Sequence, residues 1–169
     1  MILSAQSIRR LCNPPKVEEE GYPGSLVPAH RPLITPFVER GVSNGKSYGL
    51  SSCTYDCRIA ENLIIPVGQS RLASTIERFC IPNNVCGSVL DKSSWARVFL
   101  TAFNTLLDPG WEGYLTVELS NLGVEPIQFK LEDPLVQVRF DWLDEPTELP
   151  YKGKYQDQER GPQKPRYER

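Results

Sequence analysis

The chain has 169 residues, 40% of them hydrophobic and 24% charged, with a formal charge of −2. That length is enough to bury a core within one domain, and the composition is ordinary for a globular protein. The net negative charge argues against a general nucleic-acid binder, and no apolar run is long enough to span a bilayer.

The opening residues lack the basic head, apolar centre and small-residue cleavage site of a signal peptide, so the cytoplasm is the expected location. Residues 4–12 predict a short helix, with Ser4 as N-cap and Ile8 and Leu11 facing inward. Residues 13–36 are rich in proline, glycine and acids and predict loop. Short apolar or alternating stretches then follow at 62–67, 71–79, 85–90, 98–103, 113–121, 127–131 and 135–142, separated by Gly, Pro, Asn and Asp. Many short strands between turn residues predict a mainly β domain, a sandwich or barrel, over residues 1–150. The pattern of 71–79 fits a helix as well as a strand.

The clearest strand is 113–121, with Leu115, Val117 and Leu119 on one face and Tyr114, Thr116, Glu118 and Ser120 on the other. Its entry, Asp108-Pro109-Gly110-Trp111, has proline and glycine where a type II turn requires them. Residues 151–169 form a basic tail with few aliphatic side chains. Its composition fits either a loose end or a flap that orders over a polyanion.

Two segments could carry chemistry. Lys92-Ser93-Ser94-Trp95-Ala96-Arg97 can form a helical turn whose N–H groups, hydroxyls and ammonium would hold phosphate oxygens. On such a turn Ser93 and Arg97 share a face, four residues apart. No Gly-x-x-x-x-Gly-Lys-Ser/Thr is present, so this is not a P-loop. The second segment is the strand that carries Glu118, whose carboxylate is either simply solvated or a proton carrier. The five cysteines show no framework spacing and are expected to be reduced thiols. Cys53 and Cys57 could suggest a metal site, but His30 is the single histidine and no second cysteine pair stands at zinc-ligand spacing. A zinc nucleobase deaminase needs His-x-Glu and Pro-Cys-x-x-Cys, and neither occurs, so no zinc is expected.

Four motifs in order give the chain its resemblance. They are Ser47-Tyr48-Gly49-Leu50-Ser51-Ser52 with Tyr55-Asp56, then Lys92-Ser93-Ser94-Trp95-Ala96-Arg97. Pro109-Gly110-Trp111-Glu112-Gly113 follows, running into Val117-Glu118-Leu119-Ser120-Asn121, and the last is Lys154-Tyr155-Gln156-Asp157-Gln158 with Arg160-Gly161-Pro162. In these the chain resembles the dCTP deaminase branch of the dCTP deaminase/trimeric dUTPase superfamily, over nearly its whole length.

The resemblance implies a distorted β-barrel or jelly-roll subunit with short helices, in a homotrimer whose active sites are shared between neighbours. It implies hydrolysis of dCTP to dUTP and ammonia, supplying dUTP for thymidylate synthesis, with magnesium on the triphosphate and dTTP as a candidate inhibitor. By the same resemblance Glu118 is the catalytic carboxylate, and Ser93 and Arg97 position the water and the ring. Lys92, Ser93 and Ser94 form the phosphate turn, Asp108 lies near the deoxyribose, and Tyr151, Lys154 and Gln158 close over the triphosphate. A bifunctional enzyme that also takes dUTP to dUMP and pyrophosphate, and a catalytically silent nucleotide-binding trimer, are the alternatives. Val98-Phe99 stands where family members often have a small residue and glycine. Asn104-Thr105-Leu106-Leu107 also departs from the usual loop beside the base. Both departures bear on the fit around the ring.

Overall fold

A computed structural model describes residues 1–13 and 31–167. His30 and most of the predicted 13–36 loop lie outside the described residues. The chain opens with helix α1 (Ala5–Cys12), which buries Ile8 and packs Leu11 against the core as its spacing predicts. Ser4 stands extended at the N-cap position, but its hydroxyl makes no capping bond.

Twelve strands follow among the described residues. The first four are β1 (Ile34–Thr35), β2 (Gly41–Ser43), β3 (Lys46–Leu50) and β4 (Thr54–Arg58). Then come β5 (Leu63–Ile65), β6 (Ser70–Cys80), β7 (Val85–Asp91), the single-turn helix α2 (Ser93–Ala96), β8 (Leu100–Ala102) and β9 (Leu106–Leu107). The last three are β10 (Glu112–Asn121), β11 (Ile127–Phe129) and β12 (Pro134–Trp142). One antiparallel sheet has the order β1-β6-β10-β8 and the other β2-β3-β4-β12-β7-β9, while β11 and β5 pair as a separate ribbon. The core lies between the sheets, where Phe79 of β6 meets Phe140 of β12 at 6.4 Å between ring centroids. This is the mainly β, barrel-like subunit expected.

The ambiguous 71–79 segment is strand throughout. Its alternation is broken because Ala73, Ser74 and Thr75 are buried in succession. Against β10, Tyr114 pairs with Arg78 but Thr116 with Ser74, so β6 carries the extra residues of a bulge. Thr75 fills that bulge, its hydroxyl donating to Glu77 O and accepting from Leu115 N–H. Beside it lies a buried ion pair. Both oxygens of Glu77 accept from Arg58, one from the backbone N–H and one from Nε, each at 2.8 Å.

Two expectations need correction. The strand predicted at 98–103 is shorter, because Val98 and Phe99 still belong to the turn after α2, donating to Trp95 O and Ala96 O. Phe99 takes φ +60°, a conformation glycine adopts without steric cost. The second correction is to the N-terminal half, where strands β1 to β4 stand in a region with no predicted strand. Strands β2 and β3 form a hairpin around Asn44-Gly45, both at positive φ, which is the type I′ signature.

Candidate active site

Asp108-Pro109-Gly110-Trp111 is the predicted type II turn. Trp111 N–H donates to Asp108 O at 3.0 Å, and Gly110 has φ +85°. A Cβ on Gly110 would lie 2.7 Å from the Pro150 side chain, so glycine is required for packing as well as for conformation. The turn delivers the chain into β10, whose alternation is as predicted: Leu115, Val117 and Leu119 are buried in the core. Thr116 and Glu118 face the other way, into a cavity of about 300 Å³.

Glu118, Asp108, Tyr151 and Gln158 all line this cavity. Thr116, Tyr155 and Gln163 join them, three residues not singled out from the motifs. Strand alternation had already placed Thr116 beside Glu118, so its position was legible even though its part was not. The Oε2 atom of Glu118 is buried and has no hydrogen-bond partner among the described residues. A buried carboxylate oxygen without a donor is costly unless a ligand or water completes it.

The tail forms one wall. It runs parallel to the start of β10, bridging Gly113 and Gln158. Tyr151 N–H donates to Pro109 O at 2.8 Å, Trp111 Nε1 to Tyr155 O at 2.8 Å, and Asp157 N–H to Glu112 O at 2.9 Å. Arg78 bonds both Glu112 and Asp157, and Arg31 bonds Glu112 from the other side. Gly113, at φ +151°, leaves room for this docking, since a Cβ there would lie 2.7 Å from Gln158 N.

The remaining predicted residues are held elsewhere. Lys92 is buried, and its ammonium pairs with Asp56 of β4. Trp95 anchors α2 by donating Nε1 to Pro134 O at 2.6 Å and packing on Phe129 at 4.4 Å between centroids. With Trp95 turned inward, Ser93, Ser94 and Arg97 stand exposed, and none lines the Glu118 cavity. Lys154 lies over the Tyr155 and Tyr167 rings at 5.5 and 6.0 Å. The residues from Ser47 to Ser52, with Asp56, line a second, open hollow beside Arg9 and Arg40. Among the described residues, no three His, Cys, Asp or Glu side chains are placed to hold a metal ion.

Solved structures place the architecture among the dUTPases. The native EIAV dUTPase superposes with a TM-score of 0.52 at 19% identity, covering 70% of this chain and 94% of its own. The dUTPase from phage phi11 of S. aureus gives 0.52 at 15% identity, covering 61% and 84%. At such identities the likeness is one of fold. The sequence comparisons are narrower. The dCTP deaminase-like family model matches residues 37–143. The dCTP deaminase of Acidobacterium capsulatum is 34% identical, covering 75% of this chain and 87% of its own length. That of Azotobacter vinelandii is 36% identical, with 75% and 87% covered. The chain belongs to the dCTP deaminase-like family.

Proposed function

We propose that this protein hydrolyses dCTP to dUTP and ammonia, with Glu118 as the group that moves the protons. The observation that carries this reading is the buried, unpartnered Oε2 of Glu118 in a cavity that Asp108, Tyr151 and Gln158 also line. A carboxylate so placed can take a proton from a water adding at C4 of the ring. It can then return protons to N3 and to the departing amine, so that water is consumed and ammonia released. In this reading Asp108 serves the sugar and Tyr151 and Gln158 the triphosphate, with Lys154, held over the Tyr155 ring outside the cavity lining, turning to the triphosphate when it binds. Magnesium enters with the substrate, bound to triphosphate oxygens, where it offsets their charge.

In this reading the working unit is a homotrimer. Ser93, Ser94 and Arg97 stand exposed on a turn anchored from behind by Trp95, so they are free to reach the cavity of a second copy. There Ser93 and Arg97 would position the water and the ring, and Ser94 the phosphates. Lys92, buried and paired with Asp56, supports the turn from beneath.

The test is Glu118→Gln assayed with dCTP and magnesium. The expected result is loss of ammonia release with nucleotide binding largely kept, and unchanged turnover would overturn the role of Glu118. A second reading, the bifunctional enzyme, draws on Asp108 sharing the cavity with Glu118. With the parent protein and dCTP, dUMP and pyrophosphate would favour it, whereas dUTP would accumulate from a deaminase alone. A parent protein that binds nucleotide without turnover would favour the silent trimer.

A further inference from the structure

The side chain of Thr116 is not used by the proton-transfer chemistry, yet it makes two hydrogen bonds to the tail. Its hydroxyl oxygen accepts from Gln158 Nε2 at 2.9 Å and from Gln163 N–H at 3.1 Å. Around this pair the tail is held by backbone and side-chain bonds together. Tyr114 and Gln158 exchange bonds, the Tyr114 N–H donating to Gln158 O at 2.9 Å and Gln158 Nε2 donating to Tyr114 O at 2.8 Å. Gly161 N–H donates to Ser74 Oγ at 3.1 Å. Gln158 is buried, and both its amide hydrogens are committed to β10, while its Oε1 has no partner among the described residues.

We propose that Thr116 is a positioning residue, a latch whose one hydroxyl fixes two points of the tail and so sets Gln158 at the wall of the Glu118 cavity. The assignment of a catalytic consequence rests on the deaminase reading above. The geometry explains why the latch sits where it does. Residues 116 and 118 project from the same face of one strand, so the atom that seats the tail is rigidly spaced from the atom proposed to carry the proton. Bonds to main-chain atoms of β10 can hold a range of tail sequences. The Thr116 hydroxyl bonds the tail at two separated residues, Gln158 and Gln163, and it therefore fixes the register between them.

The experiment compares Thr116→Val, which keeps the shape and loses the acceptor, with Thr116→Ser, which keeps the hydroxyl. Steady-state kinetics with dCTP and magnesium are measured beside the rate of trypsin cleavage at the Arg160–Gly161 bond without nucleotide. For Thr116→Val the expected result is a rise of about tenfold in KM with kcat within about twofold, and cleavage faster by a similar factor. Thr116→Ser should restore both to within about twofold of the parent. A valine variant equal to the parent in cleavage, or a serine variant as impaired as valine, overturns the latch. Failure of the parent to release ammonia would overturn the deaminase reading alone, because the cleavage rates judge the latch without activity.

Discussion

Replacing Arg58 with Met would leave the Glu77 carboxylate in the core without its cation. The side chain of Glu77 is fully buried and that of Arg58 is 9% exposed, so water cannot substitute for the lost partner. The variant keeps one bond, from the residue 58 backbone N–H to Oε2, and loses the Nε bond to Oε1 together with the positive charge. It also loses the guanidinium packed 4.8 Å from the Tyr48 ring. Breaking one side of a buried pair costs about 3–5 kcal/mol, because the survivor is a desolvated charge. For a chain of this length that corresponds to a fall of roughly 6–20 °C in Tm.

The companion variant, Arg58→Met/Glu77→Leu, removes both charges and leaves only the residue 58 N–H without its acceptor. It should recover most of the loss and lie within about 2 kcal/mol of the parent. Thermal and urea denaturation of all three proteins at one fixed concentration is the assay, since assembly contributes to apparent stability. A double variant as unstable as the single one would refute the reasoning. It would mean that packing at this position, and not an uncompensated charge, sets the cost.

The same pair predicts a pH dependence. Burial raises the Glu77 carboxyl above the usual range despite the opposing hydrogen bonds from Arg58, whose own guanidinium the carboxylate holds charged. A carboxyl raised in the folded state contributes its full stability below the unfolded value and loses it as pH rises through the folded value. The stability gap between the parent and Glu77→Gln should therefore move against the parent as pH rises from about 4 to about 8, and a pH-independent gap would count against this. Thiol chemistry gives a further check. Burial pushes Cys12 up to about 12 and Cys57 well above its ordinary range, whereas Cys53 is exposed. Iodoacetamide at about pH 8 should label Cys53 first and reach Cys12 and Cys57 only on unfolding. Site-resolved mass spectrometry showing Cys12 and Cys53 labelled at one rate would contradict the burial.

Strand β10 was legible because one face is core and the other is a cavity wall, so alternation survives from Leu115 to Leu119. The turn before it was legible because Pro109 presets φ at its second position and Gly110 supplies the positive φ at its third. Strand β6 was obscured by its bulge, which buries three successive residues and erases the period of two. The hairpin of β2 and β3 carried its signal in Asn44-Gly45, but Ser, Gly and Lys on the flanking strands gave little hydrophobic pattern to recognise. Strand β8 was overextended at its N-terminal end because Val98 and Phe99 look like strand residues, whereas the backbone there follows the turn.

The candidate site divides along a physical line. Glu118, Asp108, Tyr151 and Gln158 meet in one cavity because the turn, the strand and the docked tail are all held to β10 by local bonds. Ser93 and Arg97 do not join them, because Trp95 must turn inward to reach Pro134 O and Phe129, and a single helical turn then presents its other residues outward. A motif in a sequence states which side chains share a chemistry but not which copy of the chain supplies each. Under the trimer reading, the inward turn of Trp95 directs two of those side chains to a neighbour. Of the two departures, Leu106 lines the Glu118 cavity of the single chain, whereas Phe99 stands 67% exposed on the turn after α2. Under the trimer reading the fit around the base would thus be set by Leu106 from within one subunit and by the exposed turn of Phe99 from a neighbour.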